Sequence, residues 1–322
     1  MTTSFRNVTI MASLAILLVV GCSSAPETIT EVRDVRDQAA DNAEFGNRYF
    51  RQGQYQRALD LFEQALMLNM SIDYRYGVGT SYNSIGKVYL ATGAVEEAVS
   101  NFATAHEIGR RTDDARLLLQ STTHLGEAAL RSQDVDQAME FFDEALAYSE
   151  RADSEADLAV LYHNIATAYS RRDAFEPALD YFERAREMNE RLERIPELAS
   201  NNFMMASVYS RQGRYEDALE HAHRALDLDK QTESSLGIAA DLRALGSISE
   251  NMGNLEQAED FFRRAYFVVA AIGRRDDAVA TLQRLESLAE RLGNGDRVAQ
   301  YRRERLALLG ETQSTQPRES SE

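Results

Sequence analysis

The sequence predicts an all-α fold, a right-handed solenoid of antiparallel helix pairs. Three observations predict it. A frame running from Phe45 to Leu66 returns at a spacing of 40 residues without a slip, restarting at Ile85, Leu125, Ile165, Met205 and Leu245. Inside the frame, small and large apolar residues keep fixed columns. Four prolines, no tryptophan and 44% hydrophobic residues suit a helix-rich, well-packed chain. A constant period between about 20 and 50 residues marks a repeat array, in which each unit buries its core only against its neighbours.

The elements follow in chain order. One positive charge, Arg6, precedes an apolar stretch from Val8 to Val20 that is broken by Thr9 and Ser13 and ends at Gly21-Cys22. A comfortable membrane span needs about 20 apolar residues, so this run has the layout of a secretory signal instead. Cys22 is the only cysteine, which rules out an internal disulfide, and a zinc site would need several further ligands nearby. The ending Val19-Val20-Gly21-Cys22 resembles the lipobox of bacterial lipoproteins. That resemblance implies removal of residues 1–21 and acylation of Cys22, with two or three long chains anchoring the protein at about 0.8 kcal/mol per buried methylene. Ser23 resembles the residue found in lipoproteins forwarded to the outer membrane. The alternative is a plain signal peptide or a retained inner-membrane anchor with Cys22 a bystander. Residues 22–38 then form the lipidated start and tether, with 23–30 a short Ser/Pro/Thr stretch, and residues 31–40 begin the first helix or a leading turn.

Each repeat reads as two amphipathic helices. One small column is Gly46, Gly86, Gly126, Ala166, Ala206 and Gly246, a second is Ala58, Ala98, Ala138, Ala178, Ala218 and Ala258, and a third runs from Ala65 to Ala265. Small residues there let paired helices approach. The large column Phe62, Phe102, Phe142, Phe182, Ala222 and Phe262 fills the space where they diverge, together with Tyr49, Tyr89, Tyr169 and Tyr209. Ala222 and Ser249 interrupt these columns and predict looser packing in the fifth and sixth units. Gly53, Gly93, Gly213 and Gly253 fall where the first helix stops, as a left-handed cap requires, with Gln133 and Asp173 replacing them in the middle units. The second helix opens on acids such as Glu96, Asp136 and Glu176, which suit a helix N-terminus.

These columns resemble the tetratricopeptide repeat over residues 39–276, in a variety longer than the usual 34 residues. A seventh pair, residues 277–310, keeps the period but has Glu286, Arg302 and Arg305 at packing positions. It reads as a degenerate capping pair whose outer face meets water. Residues 311–322, ETQSTQPRESSE, are polar and read as a disordered tail.

The net charge of -17 becomes -18 without residues 1–21, with 34 basic against 52 acidic residues. Such a surface repels phosphate backbones and anionic headgroups, so neither nucleic acid nor an electrostatic membrane surface is an expected partner. No phosphate loop, HExxH, CxxC or nucleophile elbow occurs, and His221 and His223 point to different helix faces. The sequence therefore predicts no enzyme, no cofactor, no metal and no small-molecule substrate.

What remains is a surface. In the family resembled, first helices line a concave groove, which implies Asn83, Lys87, Thr123, Glu127, His163, Thr167, Phe203, Ser207, Arg243 and Ser247 as groove residues. Phe203 would be a partner anchor or an inter-unit packing residue. A neighbouring column, Phe50, Leu90, Leu130, Ser170, Ser210, Glu250 and Glu290, turns from apolar to polar along the array. The column Arg51, Arg131, Arg171, Arg211 and Arg291 either forms a guanidinium ladder for carboxylates or stabilises helix C-termini. The expectation is a non-catalytic scaffold, lipid-anchored and facing the periplasm, that holds a peptide or helix of an envelope assembly. The alternative is a peptidoglycan or anionic-glycan binder that uses the arginines.

Overall fold

The computed structural model describes residues 27–310. Among them the chain forms fourteen α-helices in seven antiparallel pairs: α1 (Glu27–Arg51) and α2 (Tyr55–Ser71), α3 (Arg75–Thr92) and α4 (Val95–Thr112), α5 (Ala115–Arg131) and α6 (Val135–Ala152), and α7 (Glu155–Arg171) and α8 (Phe175–Arg191). The last three pairs are α9 (Ile195–Arg211) and α10 (Tyr215–Gln231), α11 (Ser235–Asn251) and α12 (Leu255–Ala271), and α13 (Arg275–Arg291) and α14 (Gly295–Leu309). The proposed signal, Cys22 and the tail 311–322 lie outside the described residues. Helix α1 already starts at Glu27, inside the stretch expected to be tether.

The turns explain the regularity. Every twentieth residue from Gly53 to Gly293 has a positive φ. The 40-residue repeat is thus two 20-residue steps, each a helix and a short turn. At most of these turns the next amide closes back on the fifth residue before it, as Gln54 N–H does on the Tyr49 carbonyl at 2.9 Å and Asp114 N–H on the Gly109 carbonyl at 3.0 Å. Glycine takes the left-handed position at 53, 93, 213, 253, 273 and 293. Gln133, Asp173 and the acids Asp73, Asp113, Asp153, Glu193 and Glu233 take it elsewhere. Side-chain caps complete several starts: Asp114, Asp134, Ser154, Ser234 and Asn294 each accept a first-turn amide.

The interior follows the columns. A Cβ added at Gly126 would lie 2.3 Å from the Phe142 ring, and one at Gly86 would lie 2.5 Å from Phe102. The missing methyl is what lets the aromatic seat itself. In the fifth unit both partners change, and Ala206 meets Ala222 in one cluster with Leu226, Leu242, Leu245 and Phe261. The packing expected to loosen there stays closed, because Ala222 is fully buried and His221 stacks on Tyr209 at 5.3 Å. Ser249 does leave a defect, since its buried Oγ has no partner.

Curvature places the first helices inside. The backbones of α1 and α3 approach closely, as do those of α3 and α5, α5 and α7, α7 and α9, and α9 and α11, whereas consecutive second helices meet only through side chains, as Arg224 of α10 meets Glu190 of α8 at 3.7 Å. In the seventh pair, Glu286, Arg302 and Arg305 occupy the places of the small, aromatic and alanine columns. Arg302 is exposed, as expected of an outer face, whereas Glu286 turns inward. Glu286 is 8% exposed and accepts from Arg302 Nε at 2.5 Å and Arg305 Nη2 at 3.0 Å, so an ion triad around a buried carboxylate replaces apolar packing. Burial pushes the Glu286 carboxyl up, but the two guanidinium bonds outweigh it and hold it below the usual range.

Candidate functional site: the concave cleft

Four successive first helices build one cleft of about 540 Å³. Helix α3 contributes Thr80, Asn83, Ser84 and Lys87, and α5 contributes Gln120, Thr123, His124 and Glu127. Asp157, Val160, His163 and Asn164 come from α7, while Glu197, Ser200 and Asn201 come from α9, with Asn47 and Asn189 at the margins. Residues four apart on one helix, repeated every 40, share a face, and stacking lines these faces up.

The walls are polar; the Asp157 and Glu197 carboxylates are paired with arginines, whereas Lys87 has no carboxylate partner among the described residues. Asp157 accepts from Arg116 Nε at 2.7 Å, from Gln120 Nε2 at 3.0 Å and from the Ser154 hydroxyl at 2.7 Å. Arg194 pairs with Glu197 at 2.6 Å, and Glu127 lies 3.4 Å from His124 Nδ1. Lys87 Nζ sits 5.6 Å from the centre of the Phe50 ring. Desolvation dominates at His163 and lowers its pKa to about 4, so its imidazole is neutral at ordinary pH.

Of the ten groove residues expected from sequence, the cleft brings together Asn83, Lys87, Thr123, Glu127 and His163. The other five stand apart from it. Thr167 donates its hydroxyl to the His163 carbonyl at 2.9 Å, Arg243 pairs with Asp277 at 3.3 Å, and Ser207 and Ser247 are exposed further along. Phe203 is half-buried on α9 and does not line the cleft. The column next to the groove is mainly packing: Leu90, Leu130 and Ser170 are buried, and Glu250 pairs with Arg284 at 2.7 Å.

The arginine column is not a free ladder. Arg131 donates to the Leu90 carbonyl at 3.4 Å, Arg171 donates to the Leu130 carbonyl, and Arg211 donates to the Ser170 carbonyl at 2.9 Å and to Asp173. Each arginine therefore caps the first helix of the preceding unit. Arg291 reaches Glu250 one repeat back, in the same register. Arg51, with no preceding unit, lines a second hollow with Arg48 and Arg274, where the α1–α2 turn approaches the turn before α11. That hollow is built from turns, not from one face of successive helices.

Sequence reasoning missed a junction motif. Asn189 Nδ2 donates to Asn201 Oδ1 at 2.8 Å, and Asn201 Nδ2 contacts His163 Nδ1 at 3.1 Å. The equivalent positions three repeats earlier hold Asn69 with Ser81, 3.2 Å apart, and those one repeat later hold Asp229 with Asp241. A polar pair twelve apart, recurring at multiples of 40, was the available signal.

The tetratricopeptide repeat family matches residues 38–111, 77–151, 117–191 and 197–266. The chain belongs to the tetratricopeptide repeat family. No curated protein matches it in sequence. Among solved structures, the Rap conjugation gene regulator of plasmid pLS20 in complex with the Phr* peptide is similar at a TM-score of 0.63 and 15% identity, over 92% of this chain and 81% of that one. A Rap protein complexed with competence and sporulation factor gives 0.61 and 14%, over 88% and 80%. The apo quorum sensor NprR from B. thuringiensis gives 0.61 and 14%, over 87% and 78%. At these identities the likeness concerns the fold, an interaction-type helical repeat.

Proposed function

We propose that this tetratricopeptide repeat protein is a non-catalytic scaffold that holds a segment of a partner protein in the concave cleft of units two to five. The carrying observation is the convergence of first-helix side chains from four consecutive units on one polar cleft. A repeat fold that leaves one long concave face free is suited to binding an extended segment. Two of the similar structures are named as complexes with a peptide or a factor, which agrees with this use of the fold. The lipobox-like ending at Cys22 supports a lipid anchor, and Ser23 supports placement at the outer membrane facing the periplasm, with an envelope assembly as the setting. The glycan-binding alternative loses its basis where Arg131, Arg171 and Arg211 already cap neighbouring helices.

Site-specific photo-crosslinking in living cells tests the reading, with probes at Gln120 in the cleft and at Glu140 on outer helix α6. A discrete protein adduct from Gln120 alone is expected. Equal labelling from both sites would remove the cleft from the account. Metabolic labelling with palmitate tests the anchor: the wild type should incorporate label and Cys22→Ser should not.

A further inference from the structure

We infer that the cleft takes an internal, uncharged stretch of extended peptide main chain, gripped by the Asn83 amide and by an imidazole donor at His163 that Asn201 and Asn189 hold in one tautomer. This rests on the groove-binding reading and specifies what the groove accepts.

Asn83 is 4% exposed, lines the cleft, and has neither its amide nitrogen nor its amide oxygen paired. Leaving both ends of a buried amide unsatisfied costs several times what one ordinary hydrogen bond contributes, so the position is poor for stability and suited to a ligand. The torsion that turns an asparagine amide is soft, which lets the group swing to meet one. Its complement is a group with one donor and one acceptor side by side. A peptide unit has both; a carboxylate or phosphate would satisfy the amide nitrogen and oppose the oxygen.

The donor at His163 is set by a directed chain. Arg194 donates to Asn189 Oδ1 at 3.5 Å, which turns the Asn189 amide nitrogen toward Asn201 Oδ1 at 2.8 Å. Asn201 then presents its own nitrogen to His163 Nδ1 at 3.1 Å. Nδ1 must accept, so the single proton of the neutral ring sits on Nε2. Nε2 makes no hydrogen bond among the described residues and is not shut away from solvent. It offers an N–H to a carbonyl oxygen.

Asn83 and His163 hold equivalent positions two units apart. Between them, Thr123 donates its hydroxyl to the Leu119 carbonyl at 2.7 Å and has no hydrogen left to offer a ligand. With about 8–10 Å between packed helices, a ligand touching both must run for roughly 16–20 Å, or about six extended residues. Asp157 and Glu197 are paired with arginines and Lys87 rests against the Phe50 ring, so the choice of a peptide unit over a charged chain end rests on the Asn83 amide.

The test uses the protein from Cys22 onward and two random decapeptide libraries, one blocked as N-acetyl and C-amide and one with a free C-terminal carboxylate. Blocked peptides should be retained as well as free ones, and for a peptide selected from the blocked pool Asn83→Ala should weaken binding about tenfold or more. Because Asn83→Ala removes an orphaned amide, the free variant should melt no lower than the wild type. Asn201→Leu should weaken the same peptide, and the ¹⁵N signals of His163 should report loss of the single Nε2–H tautomer. Asn201 and Asn189 act as positioning residues, so an affinity loss with the tautomer unchanged would refute their role. Retention only of free-carboxylate peptides would overturn the inference while leaving groove binding intact. Retention of neither library would overturn the groove reading itself.

Discussion

The carboxyl pair between α10 and α11 makes the sharpest stability prediction. Asp241 is 1% exposed, its Oδ2 has no partner, and its neighbour is the Asp229 carboxyl. Gly237 makes the approach possible, because a Cβ there would lie 1.8 Å from Asp229 Oδ2. Burial first, and then the Asp229 charge, push Asp241 up to about 8, whereas an aspartate in the unfolded chain titrates near 3.9. Between those values the folded protein keeps a proton that the unfolded chain has lost. Stability therefore falls as pH rises, by about 1.4 kcal/mol per unit from this group, and the accumulated loss is on the order of 4 kcal/mol by pH 7. Asp241→Asn removes the titration while its amide still donates to Asp229. Urea unfolding followed by circular dichroism at pH 5, 6, 7 and 8 should show a stability difference that grows in favour of the variant by about 3 kcal/mol between pH 5 and pH 7. Parallel pH curves for the two proteins would refute the shared-proton reasoning.

Three further outcomes follow from the packing. Gln133→Gly and Asp173→Gly place glycine at left-handed turn positions, and each should raise stability by about 1 kcal/mol in thermal unfolding. Gly126→Ala forces a methyl to 2.3 Å from the Phe142 ring, so it should cost about 1–3 kcal/mol, while Gly93→Ala, which meets no atom, should show only the strain of its φ of 88°. Glu286→Ala leaves Arg302 and Arg305 without their carboxylate and should loosen the last helix pair, seen as faster hydrogen exchange in α14. In the wild type that pair should weaken as acid protonates Glu286, since its folded pKa lies below the ordinary value and its contribution is lost as pH falls through it.

The fold was legible because its determinants are local and repeated. The glycine–phenylalanine pairs, such as Gly46 with Phe62, recur in four of the six units, and even Ala206 with Ala222 keeps the same seat. The 20-residue step was hidden because Asp73, Asp113 and Asp153 take left-handed positions that sequence reasoning reserves for glycine. The site was half legible. First-helix periodicity located Asn83, Thr123 and His163, but it assigned the same role to Phe203 and Arg243, since a column cannot show where a superhelix closes its cleft. The arginine column left two readings open, a ladder or a helix C-terminal role, for a related reason. Its partners, the Leu90 and Leu130 carbonyls, lie 41 residues back, and backbone acceptors leave no trace in side-chain patterns.

The central claim is that the concave cleft of units two to five carries the binding. Its most direct test is to fill that cleft with Ser84→Tyr and Ser200→Tyr, two lining positions on α3 and α9, and to measure in cells the adduct formed by a photo-crosslinking probe at Lys87. The account predicts loss of the adduct with helicity and melting retained. An undiminished adduct from the filled cleft would contradict it.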